Sequence, residues 1–208
     1  MRQMVKWICL AIIITCGSFA IPYKITVITW QFLPDLGRGN YFYIFSLLYG
    51  LMLVSRSSER SGICIGNSRK RYKSALLACG LPIVLTLIVY PFLKTRPFSG
   101  APIGMWLISP LAEDLVFLGY LYGRFDKVKP INIHRRIPIR MAVVIGGIFF
   151  SASHATNLFT MNPGYVIFQM LYTFSFFMFW GLSRQWTGSI AYGTISHMAV
   201  NYIAWVVN

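Results

Sequence analysis

Residues 101–122 read APIGMWLISPLAEDLVFLGYLY, an apolar run that carries two adjacent acids, Glu113 and Asp114, near its middle. A helix of about 20 residues crosses the hydrocarbon core of a bilayer, and this run has that length. A charge at the centre of such a helix costs about 2.5–3.5 kcal/mol on insertion scales, so the acid pair requires compensation. The stretch therefore predicts a membrane helix whose acids face a polar cavity with partners from other helices.

The same apolar pattern recurs along the chain. Hydrophobic residues make up 56% and charged residues 12% of the sequence, whereas a soluble domain has about 25% charged residues. We predict an all-α, polytopic bundle of about seven transmembrane spans, forming one integral membrane domain over residues 1–208 in the cell membrane. Residues 25–33 leave room for an eighth, partial span. The apolar runs are residues 7–21, 41–54, 74–93, 101–122, 141–159, 165–181 and 190–207.

Basic residues outnumber acidic residues by 19 to 5, which gives a formal net charge of +14. In a soluble chain this excess is typical of nucleic-acid binding, but the apolar runs argue against a nucleic-acid partner. With a cytoplasmic N-terminus, 15 Lys and Arg lie in the inner segments and 4 in the outer ones. The positive-inside rule expects this asymmetry, so we predict that the N-terminus is cytoplasmic.

Two features of the N-terminal half have alternative readings. Arg2 and Lys6 precede an apolar run that ends at Ser18-Phe19-Ala20, a pattern of either an uncleaved first span or a cleaved signal peptide. The basic stretch Arg69–Lys73 fits a topology determinant or a contact with anionic membrane lipids. The four cysteines include no CxxC pair, which argues against a disulfide framework.

Three further polar residues lie inside predicted spans. His154 falls past the middle of the fifth run, and His197 falls before the middle of the seventh. Asn201 follows His197 by four positions and shares its helix face. Because neighbouring spans alternate in direction, these residues and Glu113 reach one depth if the fourth, fifth and seventh spans adjoin.

A carboxylate in such a cluster is a general base for water, and imidazole and carboxamide groups can hold a developing oxyanion. The set therefore indicates amide hydrolysis by an activated water. A lone histidine in a membrane helix is more often an ordinary interhelical hydrogen bonder, so the inference rests on the group. The aromatic stretch of residues 172–180 is instead predicted to face lipid and to pack.

The motifs around these residues resemble the CPBP family, the CAAX prenyl protease and bacteriocin-processing intramembrane endopeptidases. The segment from Pro110 to Gly119 is similar to the first family motif, which has two Glu, three residues and then Arg. Phe150-Ser-Ala-Ser-His154 resembles the second motif, and His197-Met-Ala-Val-Asn201 resembles the third. The resemblance covers residues 101–205. Two positions depart from the pattern, because Asp114 replaces the second Glu and Leu118 replaces the Arg, with Arg124 a possible substitute.

The resemblance implies a role for each residue of the set. Glu113, the first acid of the pair with Asp114, activates a water with assistance from His154, and His197 with Asn201 forms the oxyanion site. No cofactor is expected, and a zinc ion held by Glu113, His154 and His197 is the alternative.

The resemblance implies an intramembrane endopeptidase that acts on a lipidated or hydrophobic peptide or on a membrane-protein segment. The departure at Leu118 keeps a second reading open, a non-catalytic relative that acts in bacteriocin immunity, scaffolding or regulation. A proton-coupled transporter is a third reading, because acids and histidines in membrane helices also form proton relays.

Overall fold

The computed structural model describes residues 2–29, 32, 38–56, 62–63, 71–93, 103–126 and 139–207, and these ranges contain no β-strand. When contiguous helical segments are counted together, these described ranges contain seven helices. They are α1 (Arg2–Thr29), α2 (Arg38–Ser55), α3 (Tyr72–Leu93), α4 (Gly104–Phe125), α5 (Met141–Ser153), α6 (Pro163–Thr187) and α7 (Ala191–Val207). Helix α5 continues into a 3-10 turn, His154–Phe159.

Five of these helices are long and apolar enough to cross a membrane. They comprise most of α1 and α3, all of α4, α5 together with its 3-10 turn, and α6. Helix α2 is a shorter apolar helix over Asn40–Ser55. The structure thus supports the predicted helical membrane bundle, while the number of spans and the side of the N-terminus stay predictions.

Helices α1 and α6 extend furthest beyond the apolar runs that predicted them. Helix α1 passes through Pro22 and ends at Thr29, so residues 25–29 continue the first helix instead of starting a further span. Thr26 donates to the Pro22 carbonyl oxygen at 2.8 Å, the i−4 bond by which a threonine hydroxyl is satisfied inside a helix. Helix α6 runs on to Thr187 and ends at Gly188, whose φ of +75° closes the helix in the left-handed conformation.

Helix α4 lies at the centre of the bundle. It contacts α2, α5 and α7, and 67% of its apolar window is buried, compared with 17–44% in the other candidate spans. Its α-helical segment Ser109–Asp114 is flanked by two π-helical segments, Gly104–Ile108 and Leu115–Leu121, and α-helical geometry returns over Tyr122–Phe125. Such wide turns are rare and frequently occur at functional sites.

Glycine permits the close approach of α7 to α4. A β-carbon on Gly193 of α7 would lie 3.0 Å from the Trp180 β-carbon and 3.1 Å from the Leu118 Cδ1 atom. Any side chain at this position would therefore push α7 outward from α4 and α6. Because His197 is one turn further along α7, this contact sets how near its ring comes to the acid pair.

An ion pair joins the end of α4 to the start of α5. Arg140 donates from Nη1 to both carboxylate oxygens of Asp126 at 2.7 Å. Asp126 thus lies outside the apolar core, as predicted. Asp35, Glu59, Cys64, Arg69, Lys70 and His134 lie outside the described residues.

Candidate active site

A cavity of about 270 Å³ lies inside the bundle beside α4. Four of the five predicted site residues line it, namely Glu113, His154, His197 and Asn201. They come from α4, from the start of the 3-10 turn after α5, and from α7. The depth argument therefore brought together the correct spans, while the catalytic role of each residue stays a prediction.

The fifth predicted residue, Asp114, does not line the cavity. Successive side chains on an α-helix point about 100° apart, so two adjacent acids cannot face the same way. Glu113 faces the cavity with its side chain 26% exposed, and its Oε1 atom accepts a hydrogen bond from Ser109 at 2.6 Å. Asp114 is fully buried behind His197.

His197 lies between the two carboxylates. Its Nδ1 atom is 3.2 Å from Asp114 Oδ1, and its Nε2 atom is 3.9 Å from Glu113 Oε2. The ring is further held by the indole of Trp180, stacked on it at a centroid distance of 4.3 Å. Since a carboxylate can only accept, Asp114 fixes a proton on Nδ1 and turns Nε2 towards Glu113.

His154 is oriented by backbone. Its Nδ1 atom lies 3.0 Å from the Phe150 carbonyl oxygen, one helical turn earlier. Because a carbonyl oxygen can only accept, Nδ1 carries the proton, and Nε2 of the neutral ring is an acceptor. The ring of Phe150 also packs edge-on against the rings of His154 and His197. With a spacing of four residues, Phe150 therefore positions His154 through both its carbonyl oxygen and its ring.

Asn201 is bound to the first π-helical segment of α4. Its side-chain amide donates from Nδ2 to the Met105 carbonyl oxygen at 3.3 Å. Asn201 is one turn after His197 on α7, and both residues line the cavity, as the i+4 spacing predicted. The amide therefore lies next to the imidazole, where two donors can converge on one oxygen.

Leu118, which replaces the motif Arg, is fully buried. Arg124 does not take its place at the cavity, because its guanidinium lies over the rings of Tyr120 and Trp7. A different cation lies beside Leu118, since Arg184 of α6 donates to the carbonyl oxygen of the next residue, Gly119, at 3.0 Å.

The apolar run that predicted the sixth span ends at residue 181, which placed Arg184 in the segment after that span, but Arg184 lies inside helix α6. Its guanidinium is buried, with 4% of the residue exposed, and lies 4.1 Å from the ring centroid of Tyr122. The arginine ended the apolar run in the sequence, yet its aromatic and carbonyl partners keep it inside the bundle.

Two residues that position the site had not been identified from the sequence. Trp180, assigned to a lipid-facing and packing stretch, is only 1% exposed and lines the cavity. Ser109 donates to Glu113, and its place four residues earlier on α4 was the available signal. For Trp180 no signal existed, because an apolar helix gives no period that separates lipid from cavity.

Metal binding needs several ligands at one point. Among the described residues, no three His, Cys, Asp or Glu side chains form a group that could hold a metal ion. A zinc ion held by Glu113, His154 and His197 stays the alternative to a metal-free site, and sensitivity to a chelator tests it.

Comparison with known proteins adds to this geometry. The family described as type II CAAX prenyl endopeptidase Rce1-like matches residues 95–203, which include all five predicted site residues. The searches of curated proteins and of solved structures returned no match to this chain. The match covers more than half of the 208 residues, from before α4 to within α7. The chain belongs to the Rce1-like family of type II CAAX prenyl endopeptidases.

Proposed function

We propose that this protein is an intramembrane endopeptidase of the cell membrane that hydrolyses a peptide bond in a lipidated or hydrophobic peptide or membrane-protein substrate. The observation that carries the proposal is one cavity lined by Glu113, His154, His197 and Asn201. A base, an acceptor for water and two oxyanion donors are what amide hydrolysis requires.

In the proposed reaction, a water bound between Glu113 and His154 loses a proton to the Glu113 carboxylate. The hydroxide adds to the scissile carbonyl carbon, and the carbonyl oxygen becomes an oxyanion. Glu113 then returns the proton to the amide nitrogen, the C–N bond breaks, and a carboxylic acid and an amine leave. A positioned general base contributes about 10²–10⁴ in rate, which makes Glu113 the most sensitive residue of the set.

The oxyanion is stabilised by His197 and Asn201. With both ring nitrogens of His197 protonated, Nδ1 donates to Asp114 and Nε2 donates to the oxyanion. Asn201 donates from Nδ2, which exchanges its Met105 partner at 3.3 Å for the stronger acceptor. Loss of one such donor costs about 10²–10³ in turnover.

The test is cleavage of lipidated peptides by the purified protein in liposomes. We expect Glu113→Gln and His197→Ala each to lower the rate of cleavage by about 10²-fold or more, while Asp126→Asn, a matched acid-to-amide change outside the cavity, retains the wild-type rate. Full activity of both cavity variants would remove this site from the reaction. If a zinc chelator abolishes the activity and added zinc restores it, the zinc mechanism is correct and water activation by Glu113 alone is wrong.

One observation favours a second function. The motif Arg position is occupied by Leu118, which is buried against the backbone of α7. A non-catalytic relative that binds a partner in the membrane, in bacteriocin immunity, scaffolding or regulation, would tolerate this change. A cellular phenotype that survives Glu113→Gln and is lost on changes to the lipid face would establish that function instead.

A further inference from the structure

Two carboxamide side chains that the proposed reaction does not use also line the cavity, Asn157 of the 3-10 turn and Gln169 of α6. Asn157 donates from Nδ2 to the Gln169 Oε1 atom at 2.8 Å. Gln169 is buried, with 8% of the residue exposed. A bond between two carboxamides uses one donor and one acceptor. These two residues, the carboxamide pair, therefore keep one amide oxygen and several N–H groups for a ligand in the cavity.

The carboxamide pair lies at a defined distance from the catalytic residues. Three residues complete a turn of 3-10 helix, so Asn157 is eclipsed with His154, and both side chains face the cavity. The rise of about 2 Å per residue places Asn157 about 6 Å beyond His154 along the turn. An extended peptide advances about 3.3 Å per residue. The pair is therefore about two residues away from a peptide bond that is held at His154 and Glu113.

A link between α5 and α6 does not require these two amides. Ser151 of α5 already donates to the Met170 carbonyl oxygen of α6 at 2.6 Å. Hydrogen bonds between membrane helices contribute little stability each, and burial of an amide costs its hydration. The small gain in stability does not account for two carboxamides that face the cavity, whereas a ligand with a donor and an acceptor does.

We infer that the carboxamide pair binds the backbone of the substrate, about two residues from the scissile bond, and holds that segment extended. The inference rests on the proposed peptidase function, because the ligand is the peptide that is hydrolysed. The Asn157 Oδ1 atom accepts from a substrate N–H group, and the Gln169 Nε2 atom donates to a substrate carbonyl oxygen. Backbone hydrogen bonds of this kind give affinity for an extended peptide without reading its side chains.

This binding mode has a consequence for substrate choice. Inside a membrane, a helical segment satisfies its backbone groups internally, while an extended segment needs partners for them. The carboxamide pair supplies such partners only to an extended segment. It therefore favours substrates that are unwound near the scissile bond over substrates that stay helical there.

The test compares substrates that differ in one backbone atom. In a lipidated fluorogenic peptide, each peptide bond except the scissile one is replaced in turn by an ester, which removes the N–H donor. The enzyme variant combines Asn157→Leu with Gln169→Met, because replacing both partners of a hydrogen bond with apolar groups of similar shape is nearly neutral for stability. Gln185→Met is the matched control, since Gln185 of α6 accepts from the Arg140 N–H group at 2.9 Å and does not line the cavity.

We expect one ester, about two residues from the scissile bond, to lower kcat/KM about tenfold in the wild type and in Gln185→Met. The double variant should cleave the all-amide peptide about tenfold more slowly than the wild type and show no further loss with this ester. An ester effect of equal size in the wild type and the double variant would overturn the inference. So would an ester scan in which no position stands out.

A binding measurement separates this site from the reaction. In a Glu113→Gln background, the Kd values of the all-amide peptide and of the ester peptide are measured by fluorescence anisotropy in liposomes. We expect the ester to weaken binding about tenfold, and the difference to vanish when the carboxamide pair is replaced. A protein that shows this difference but never cleaves the peptide loses the proposed reaction and keeps the site. Cleavage that depends on Glu113 and His197 but shows no ester effect keeps the reaction and refutes the site.

Discussion

Replacing Asp114 with Asn tests whether this acid acts through His197. The change keeps the shape of a fully buried side chain and removes its charge, 3.2 Å from the imidazole Nδ1 atom. A hydrogen bond to a charged group contributes about 1.5–3 kcal/mol, and a neutral one about 0.5–1.5 kcal/mol. The difference of about 1–2 kcal/mol corresponds to a loss of roughly 5- to 30-fold in kcat.

The assay is steady-state cleavage in liposomes, with kcat and KM determined separately. Because Asp114 does not line the cavity, we expect kcat to fall while KM is unchanged, and Asp114→Glu to restore part of the activity by restoring the charge. Thermal unfolding serves as the control. Because asparagine keeps the side-chain volume and an acceptor oxygen for His197 Nδ1, the hydrogen bond is retained and the melting temperature of Asp114→Asn should stay near that of the wild type.

A double-mutant cycle supplies the outcome that would refute this reasoning. If Asp114 acts only by holding the imidazole, Asp114→Asn should add almost nothing to the loss caused by His197→Ala. Equal losses in the wild-type and His197→Ala backgrounds would show that Asp114 contributes independently of the ring. The measurement requires the residual activity of His197→Ala to be followed in single-turnover reactions at high enzyme concentration.

Three other predictions concern the supports of the site. Ser109→Ala removes the donor to the Glu113 carboxylate at 2.6 Å, and we expect kcat to fall about tenfold without a change in expression or melting temperature. Gly193→Val should destabilise the fold by about 1–3 kcal/mol, because its side chain would meet Trp180 and Leu118. A lower melting temperature that Leu118→Ala relieves only in part checks this. Trp180→Leu removes the ring that is stacked on the His197 imidazole at a centroid distance of 4.3 Å. We expect a loss of about 1 kcal/mol in transition-state stabilisation, measured as a several-fold lower kcat/KM. Unchanged kinetics would contradict the role of the stacked ring.

The fold was largely predictable because a membrane helix requires a long apolar run, which can be recognised in a sequence. Each of the seven apolar runs corresponds to one helix of the described residues, and five of these helices are long and apolar enough to cross a membrane. The errors occur at helix ends. Helix α6 extends past its predicted end at Gly181 because the cation of Arg184, read as a boundary, has partners inside the bundle.

The depth of the site residues along their helices could be predicted from the sequence, but the direction in which their side chains point could not. Positions along the helices placed Glu113, His154 and His197 at one level, and the structure brings them to one cavity. Which acid of the pair faces that cavity depends on the rotation of α4 about its axis. The two π-helical segments change the rotation per residue from that of a regular α-helix, and no sequence period reveals them.

The π-helical segment Leu115–Leu121 also has a consequence for how α4 tolerates changes in length. A π-helical turn contains an extra residue relative to an α-helical turn. Deleting one residue there converts the wide turn into an ordinary one and keeps the helix beyond it in register. The same deletion within Ser109–Asp114 would turn every preceding side chain by about 100° relative to the acids that follow. We therefore expect helix α4 to tolerate deletion of one residue in its π-helical segments better than in Ser109–Asp114.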